Sequence, residues 1–272
     1  MNRNRPYLYI IYNKNFLLNE PIYAVVNYNY KYIFNIVFIN LYKQKIHIKT
    51  LFIYIQMISV LIPVYNGIEF INECVTSVLD QTYEEWEIII AINGHPQNSN
   101  QYKIAKEYET ISEKIRVYDF YNVWGKAETL NSMIPYCKYD YVAILDVDDI
   151  WLDKKLEIQS SFLNKYDVIG SQCVYFGDLD GIKPNIPLGD ISNFDFTIVN
   201  PIINSSVIIR KELCHWVENG IEDYELWLRL RSENKSFYNC NDVLVKHRIH
   251  KSSAFNSNGH ATKLDKLLAK YK

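Results

Sequence analysis

From Met57 onward short apolar runs take turns with amphipathic stretches, and that order leaves few folds open. Strand-like runs at 58–62, 86–92, 115–119 and 141–145 alternate with helical patterns at about 68–80, 99–111, 126–137 and 153–165. In the first helical pattern Ile71, Cys74, Val75, Val78 and Leu79 recur at the spacing of one buried face. The first run is expected to stop at Pro63, which lacks the N–H that continues a ladder. The alternation predicts an α/β fold, a mostly parallel sheet with helices on both faces. In such sheets ligands bind at the carboxyl ends of the strands, so the informative residues should follow the apolar runs directly.

The first 56 residues break this pattern. They hold seven Lys/Arg against the single acid Glu20, no Gly, no Cys, nine of the 23 Tyr, nine Asn and ten Ile. A tract without glycine and with so narrow an alphabet lacks the usual means of reversing a chain. The reading is a basic, biased leader at 1–56, irregular and outside the working part, followed by one folded domain at 57–272. Two other readings stay open. Arg3, Arg5 and Lys14 suit a targeting or membrane-surface arm, which would allow peripheral membrane contact, although no signal-peptide core is present. Tyr and Ile alternate with Asn and Lys over 23–42, which suits a strand-rich extension.

The whole-chain averages exclude several classes. A net charge of -2 leaves no basic surplus for nucleic acid. Residues 50–68 carry no charge, close to a membrane span in length, but Gln56, Ser59, Pro63, Asn66 and Gly67 interrupt the run, so no transmembrane helix is expected. The five cysteines, at 74, 137, 173, 214 and 240, show no paired spacing, and a reducing, cytoplasmic location follows. The C-terminal stretch 261–272 reads as a basic helix with Leu264, Leu267 and Leu268 on its apolar side.

The apolar run 141–145 leads straight into Asp146-Val147-Asp148-Asp149. Three carboxylates at a strand end repel one another unless a cation neutralises them, and hard oxygen ligands suit Mg2+ or Mn2+. The plain alternative is a solvated acidic turn that caps the next helix. Its place directly after an apolar strand in an alternating sheet favours the cation site.

These stretches together resemble a family 2 glycosyltransferase with the GT-A, Rossmann-like fold. The likeness runs from Met57 to about Ser253. It rests on Ile62-Pro63-Val64-Tyr65-Asn66, on 125–131 (Gly-Lys-Ala-Glu-Thr-Leu-Asn), on 145–151 (Leu-Asp-Val-Asp-Asp-Ile-Trp), on 222–227 (Glu-Asp-Tyr-Glu-Leu-Trp) and on His247-Arg248-Ile249-His250. The resemblance implies an inverting, metal-dependent catalytic domain that moves a sugar from a nucleotide-sugar co-substrate to a glycan, lipid or protein acceptor.

The resemblance also implies roles. Pro63, Tyr65 and Asn66 would hold the nucleotide base, with the Tyr65 ring available for stacking. Lys126 and Asn131 would face the diphosphate at a helix start. Asp148 would touch the metal and Asp146 the ribose or the metal, with His250 a further ligand for Mn2+ or Mg2+ and Asp149 orienting the loop. Of the pair Glu222-Asp223, Asp223 would be the general base and Glu222 its support or an acceptor contact; as residues alone, they equally suit a helix cap. His247 and Arg248 would contact phosphate or the tail of the sheet.

One departure concerns the base. The second strand runs into Asn93-Gly94-His95 where many relatives have Asp-Asp-Gly-Ser, so Ile92 stands in place of an acid and Asn93 would take over part of its task. Two alternatives remain: a non-catalytic sugar-nucleotide-binding protein, and a sugar-phosphate nucleotidyltransferase. The second normally has a Gly-rich basic loop after its first strand, which Val64-Tyr65-Asn66-Gly67 lacks.

Overall fold

The computed structural model describes residues 56–250 and 260–271, and within the first 55 residues the strands 7–11, 22–29, 33–42 and 45–54. Arg3, Arg5, Lys14 and Ser253 lie outside the described residues. The chain divides into two compact units, Met1–Gln56 and Met57–Lys272.

In the first unit β1 (Tyr7–Ile11), β2 (Ile22–Asn29), β3 (Ile33–Tyr42) and β4 (Lys45–Tyr54) form an antiparallel sheet in chain order. Ile11 pairs with Ile22, Asn29 with Ile33 and Tyr42 with Lys45 where the strands reverse. Over 23–42 this is the strand-rich reading that the sequence left open. Alternation of Tyr, Ile and Val with Asn and Lys is a strand pattern in its own right, and it outweighs the missing turn glycines.

The second unit begins β5 (Ile58–Val64), α1 (Ile71–Leu79), β6 (Trp86–Asn93), α2 (Asn100–Lys106), β7 (Ile115–Phe120), α3 (Lys126–Met133) and β8 (Tyr141–Ile144). It continues with β9 (Ile150–Trp151), α4 (Lys155–Ser160), β10 (Val168–Gly177), β11 (Gly189–Asp190), β12 (Ile208–Arg210), α5 (Glu222–Ser232), β13 (Phe237–Ile249) and α6 (His260–Leu268). The sheet runs β11-β13-β10-β12-β8-β5-β6-β7, with β9 paired to β13. Strands β7, β6, β5 and β8 are mutually parallel, and β12 is antiparallel to both its neighbours. Because β6 lies on one side of β5 and β8 on the other, strand order reverses there, and in such sheets ligands bind outside the carboxyl ends at that point.

Strand β5 does not stop at Pro63 but runs on to Val64, paired with Ala91 and Ile92 of β6. The Leu61 carbonyl accepts from Leu145 N on the β8 side, so Pro63, two residues on, also faces that side. Strand β8 has ended there, and the ladder to β6 never needs the missing N–H.

The sheet divides the core. Val60, Ile62, Ile88 and Ile90 pack toward Cys74, Val75 and Val78 of α1. Leu61, Ile89 and Ala91 pack toward Ala127, Leu130 and Met133 of α3 and Leu226, Trp227 and Leu230 of α5. Helices thus cover both faces, which is why β5 and β6 read as continuous apolar runs rather than alternating ones. Each of these fully buried aliphatic side chains contributes about 1.5–3 kcal/mol. Leu267 of the basic C-terminal helix joins the second cluster.

Candidate active site

The acidic loop that follows β8 is held from three directions. Asp149 is fully buried; its Oδ1 accepts the Arg248 N–H at 2.8 Å and its Oδ2 lies 2.9 Å from His247 Nδ1. Arg248 lies between the rings of Phe70 and Phe176, 4.3 Å from each centroid, and donates from Nε to the Asp148 carbonyl at 2.8 Å. Asp149, His247 and Arg248 therefore tie the loop to the end of β13. Burial lowers the proton affinity of His247, but the neighbouring Asp149 carboxylate outweighs this and raises it above the ordinary imidazole value.

The two outer acids differ in surroundings. Asp146 accepts from Lys126 Nζ at 2.6 Å on Oδ1 and from Asn204 Nδ2 at 3.1 Å on Oδ2. Desolvation pushes its carboxyl up, yet the Lys126 ammonium and the Asn204 amide hold it below the usual carboxylate range. The Asp148 side chain meets the His250 imidazole among the described residues, with Nε2 2.9 Å from Oδ2. Desolvation and the charges of Asp149 and Asp146 push its carboxyl up. Among the described residues no three His, Cys, Asp or Glu side chains converge as a ready-made metal cage. The donors at Asp148 are an open set, a carboxylate and an imidazole, which suits Mg2+ or Mn2+ completed by substrate phosphate. The residues present fit such an ion.

Lys126 opens α3. Desolvation works against its charge, but Asp146, and beyond it Glu222 and Asp223, raise its proton affinity. Gly125 before it has φ 88 and no side-chain cap; the Glu218 carboxylate takes that role and accepts the Ala127 N–H at 3.2 Å. The positive φ is what favours glycine at this position; the Glu218 carboxylate lies where a Cβ would be, but it is the end of a flexible side chain.

The second acidic pair opens α5, with Glu222 and Asp223 as its first two residues. Asp223 Oδ2 accepts from Asn200 Nδ2 at 3.3 Å. Burial raises the Glu222 carboxyl; Lys126 opposes the rise, and Asp223 and Glu218 add to it.

At the ends of β5 and β6, Tyr65 is 51% exposed and its ring stacks on His95, with centroids 5.5 Å apart. Gly94 has φ 68, and a Cβ there would come 2.8 Å from the Tyr65 ring, so this glycine lets the ring close down. Pro63 is half-buried, Asn66 exposed and Asn93 buried. Trp124, 61% exposed, lies beside Gly94. Asn131 stands apart from the other expected site residues: its Nδ2 donates to the Trp216 carbonyl at 2.8 Å and its Oδ1 accepts the Trp216 N–H at 2.9 Å. Its amide is engaged on both sides by that backbone and is not aimed at a diphosphate.

Sequence reasoning missed Asn200, Asn204 and Glu218. For Asn204 the signal was its place in Asn204-Ser205-Ser206, between a loop-rich stretch and an apolar strand. For Glu218 no local pattern distinguishes it from any surface acid.

The sheet of this topology, with strand-end acids facing a lysine at a helix start, has the GT-A fold. The description "Glycosyl transferase family 2" matches residues 59–216, more than half of the chain, which therefore belongs to that family and is a glycosyltransferase. An uncharacterized glycosyltransferase of Rickettsia felis is 30% identical over 74% of this chain, which spans only 36% of that protein. The Escherichia coli UDP-Glc:alpha-D-GlcNAc-diphosphoundecaprenol beta-1,3-glucosyltransferase WfgD is 27% identical, covering 72% of this chain and 79% of its own. Two solved structures share the fold. S. aureus TarS in complex with UDP has a TM-score of 0.59 at 16% identity, covering 79% of this chain and 70% of its own. The Pyrobaculum calidifontis mannosyltransferase PcManGT, with GDP-Man and Mn2+, has a TM-score of 0.58 at 14% identity, covering 74% and 59%.

Proposed function

We propose that this chain transfers a sugar from a nucleoside diphosphate sugar to an acceptor hydroxyl, with inversion at the anomeric carbon and dependence on Mn2+ or Mg2+. The observation that carries the reading is that Lys126 lies within the field of both acidic pairs: it is ion-paired to Asp146, and Glu222 and Asp223 also raise its proton affinity. A cation flanked by strand-end acids on one side and helix-borne acids on the other suits a single displacement, with the leaving group and the transferred proton on opposite faces.

In this reading the Tyr65 ring offers a stacking face to the base, with Pro63 and Asn66 beside it and the Asn93 amide replacing the acid absent at Ile92. Lys126 and the N–H groups of the first turn of α3 bind the diphosphate. Asp148 and His250 would hold the metal ion, with Asp146 on the ribose side, and when bound the ion neutralises charge that develops on the departing nucleoside diphosphate. Asp223 Oδ1 takes the acceptor proton while the Asn200 amide holds Oδ2. Glu222, whose proton affinity is raised by burial, supports Asp223 or contacts the acceptor. A lipid-linked sugar, as in the name of the E. coli relative, is the first acceptor to try.

For location we propose the cytoplasm: all five cysteines are free thiols, four of them buried, which suits a reducing compartment. Among the described residues no helix is long and apolar enough to cross a membrane.

The test is release of nucleoside diphosphate from UDP-glucose, UDP-GlcNAc and GDP-mannose, with Mn2+ or with chelator, followed by proton NMR of the product anomer. Release that needs the metal and yields the inverted anomer is expected. No release above that of an Asp223→Asn variant overturns the reading, and binding without release leaves the non-catalytic alternative.

A further inference from the structure

Residues 200–206 touch both acidic pairs at once. Asn200 Nδ2 donates to Asp223 Oδ2 at 3.3 Å, and Asn204 Nδ2 donates to Asp146 Oδ2 at 3.1 Å. The segment between them is anchored in the core. Ile202 is buried, and the Pro201 carbonyl accepts from the fully buried Asn239 amide at 2.8 Å. The turn that follows is held as firmly: Trp151 Nε1 donates to the Ser205 carbonyl at 2.6 Å and Gln159 Nε2 to the Ser206 carbonyl at 2.8 Å. Gln159 is itself fixed by the buried Lys155, whose Nζ donates to its Oε1 at 2.7 Å. Ser205 Oγ in turn accepts the Asp146 N–H at 3.1 Å.

We infer that Asn204 and Asn200 are positioning residues that set the separation between the donor-side acid Asp146 and the acceptor-side acid Asp223. The inference rests on the glycosyl-transfer reading above. Asp146 has no oxygen left to choose its own place: Lys126 takes Oδ1 and Asn204 takes Oδ2. Asn204 holds this position at a cost. Turning its Nδ2 toward Asp146 leaves its Oδ1 buried without a partner among the described residues. A buried, unpaired carbonyl destabilises a fold, so an asparagine kept in that orientation is not explained by stability. Asn200 has no such cost, because its Oδ1 accepts the Ile202 N–H at 3.4 Å. The strap carries two amide donors, each aimed at one acid, on a backbone that the core holds rigid, and rigid mounting is what transfer between two substrates requires.

The inference is tested on the full chain with Asn204→Ala, Asn204→Asp and Asn200→Ala, measuring kcat and donor KM by nucleoside diphosphate release and melting temperature in parallel. For Asn204→Ala, kcat should fall about ten- to a hundred-fold while the melting temperature stays level or rises, since the unpaired carbonyl leaves with the amide. Asn204→Asp should be worse than Asn204→Ala, because it sets a carboxylate against Asp146; a packing role alone would rank the isosteric aspartate above alanine. Asn200→Ala should lower kcat with donor KM unchanged, as of the two acids its side chain touches the acceptor-side Asp223. An unchanged kcat in Asn204→Ala, or a loss that follows the melting temperature with aspartate better than alanine, overturns the inference alone. If the unsubstituted chain turns over none of the three donors, the transfer reading fails and takes this inference with it.

Discussion

Lys126 Nζ lies 2.6 Å from Asp146 Oδ1, joining the first turn of α3 to the loop that follows β8. This ion pair explains how three acids coexist at one strand end. Lys126 and Asn204 balance Asp146, while His247 and the Arg248 N–H balance Asp149. Among the described side chains Asp148 meets the His250 imidazole and has two carboxylates nearby, and burial together with those charges raises its proton affinity. The electrostatics thus single out Asp148 as the group with the most to gain from a cation.

That asymmetry gives opposite signs for stability and activity in Asp148→Asn. Removing the least compensated charge should leave stability unchanged or raise it by about 1 kcal/mol, while turnover falls by about 10²-fold or more, as when one electrostatic stabiliser is lost. Thermal melts and initial rates, each taken across a Mn2+ titration, check both halves. A variant with ordinary activity and ordinary Mn2+ response would remove Asp148 from the metal role.

Glu218 occupies the helix start where the diphosphate is proposed to bind, with its carboxylate on the Ala127 N–H. Two anions cannot share those donors, so the donor must displace it. Glu218→Gln should therefore bind UDP about three- to ten-fold tighter, the range expected when one charge at a helix start is removed as competitor, with little change for UMP, which lacks the second phosphate. Isothermal titration of both nucleotides measures this. Equal or weaker UDP binding by the variant counts against a diphosphate at α3.

His247 makes one part of the stability depend on pH. Its folded proton affinity is raised by Asp149 above the unfolded imidazole value near 6.5. The charged pair therefore stabilises the fold in full below about pH 6.5, and that contribution is lost as pH rises through the folded value. The stability difference between the native chain and His247→Gln should be about 1.5–3 kcal/mol in mild acid and shrink above neutrality. Urea unfolding at a series of pH values reads it, and a difference that grows with pH would contradict the sign.

The α/β architecture was legible because the parallel strands are buried on both faces and the helices bury one stripe each. Ile88 to Ile90 and the Cys74, Val75, Val78 stripe announce themselves in the sequence. Asp146, Asp148, Glu222 and Asp223 were legible because acids that follow a strand or open a helix stand out by type and place. What could not be read are contacts between distant segments. Asn131 has a motif position that suggests phosphate, yet its partner is the Trp216 backbone. Asn204 and Glu218 acquire meaning only from residues far away in the chain. In the first 55 residues the period-two alternation of Tyr and Ile with Asn and Lys, one of the readings left open, is the pattern carried by strands β1 to β4.

That alternation bears on whether the first unit contributes to the reaction. Every residue assigned a role at the site, from Pro63 to His250, falls within the second unit, and the division between units falls at Gln56 and Met57. The second unit has its own core, with Ile58 at the start of β5 fully buried and paired with Trp86 and Tyr141. A chain starting at Met57 keeps that strand whole, along with its neighbours on both sides. It should fold and turn over donor at the rate of the full chain, with the melting temperature of the catalytic unit shifted by no more than about 4 °C, the equivalent of 1 kcal/mol in a domain of this size. Circular dichroism melts and the donor panel, run side by side on the two lengths, decide it. Loss of cooperative unfolding in the shorter chain would show that the antiparallel sheet supports the catalytic unit.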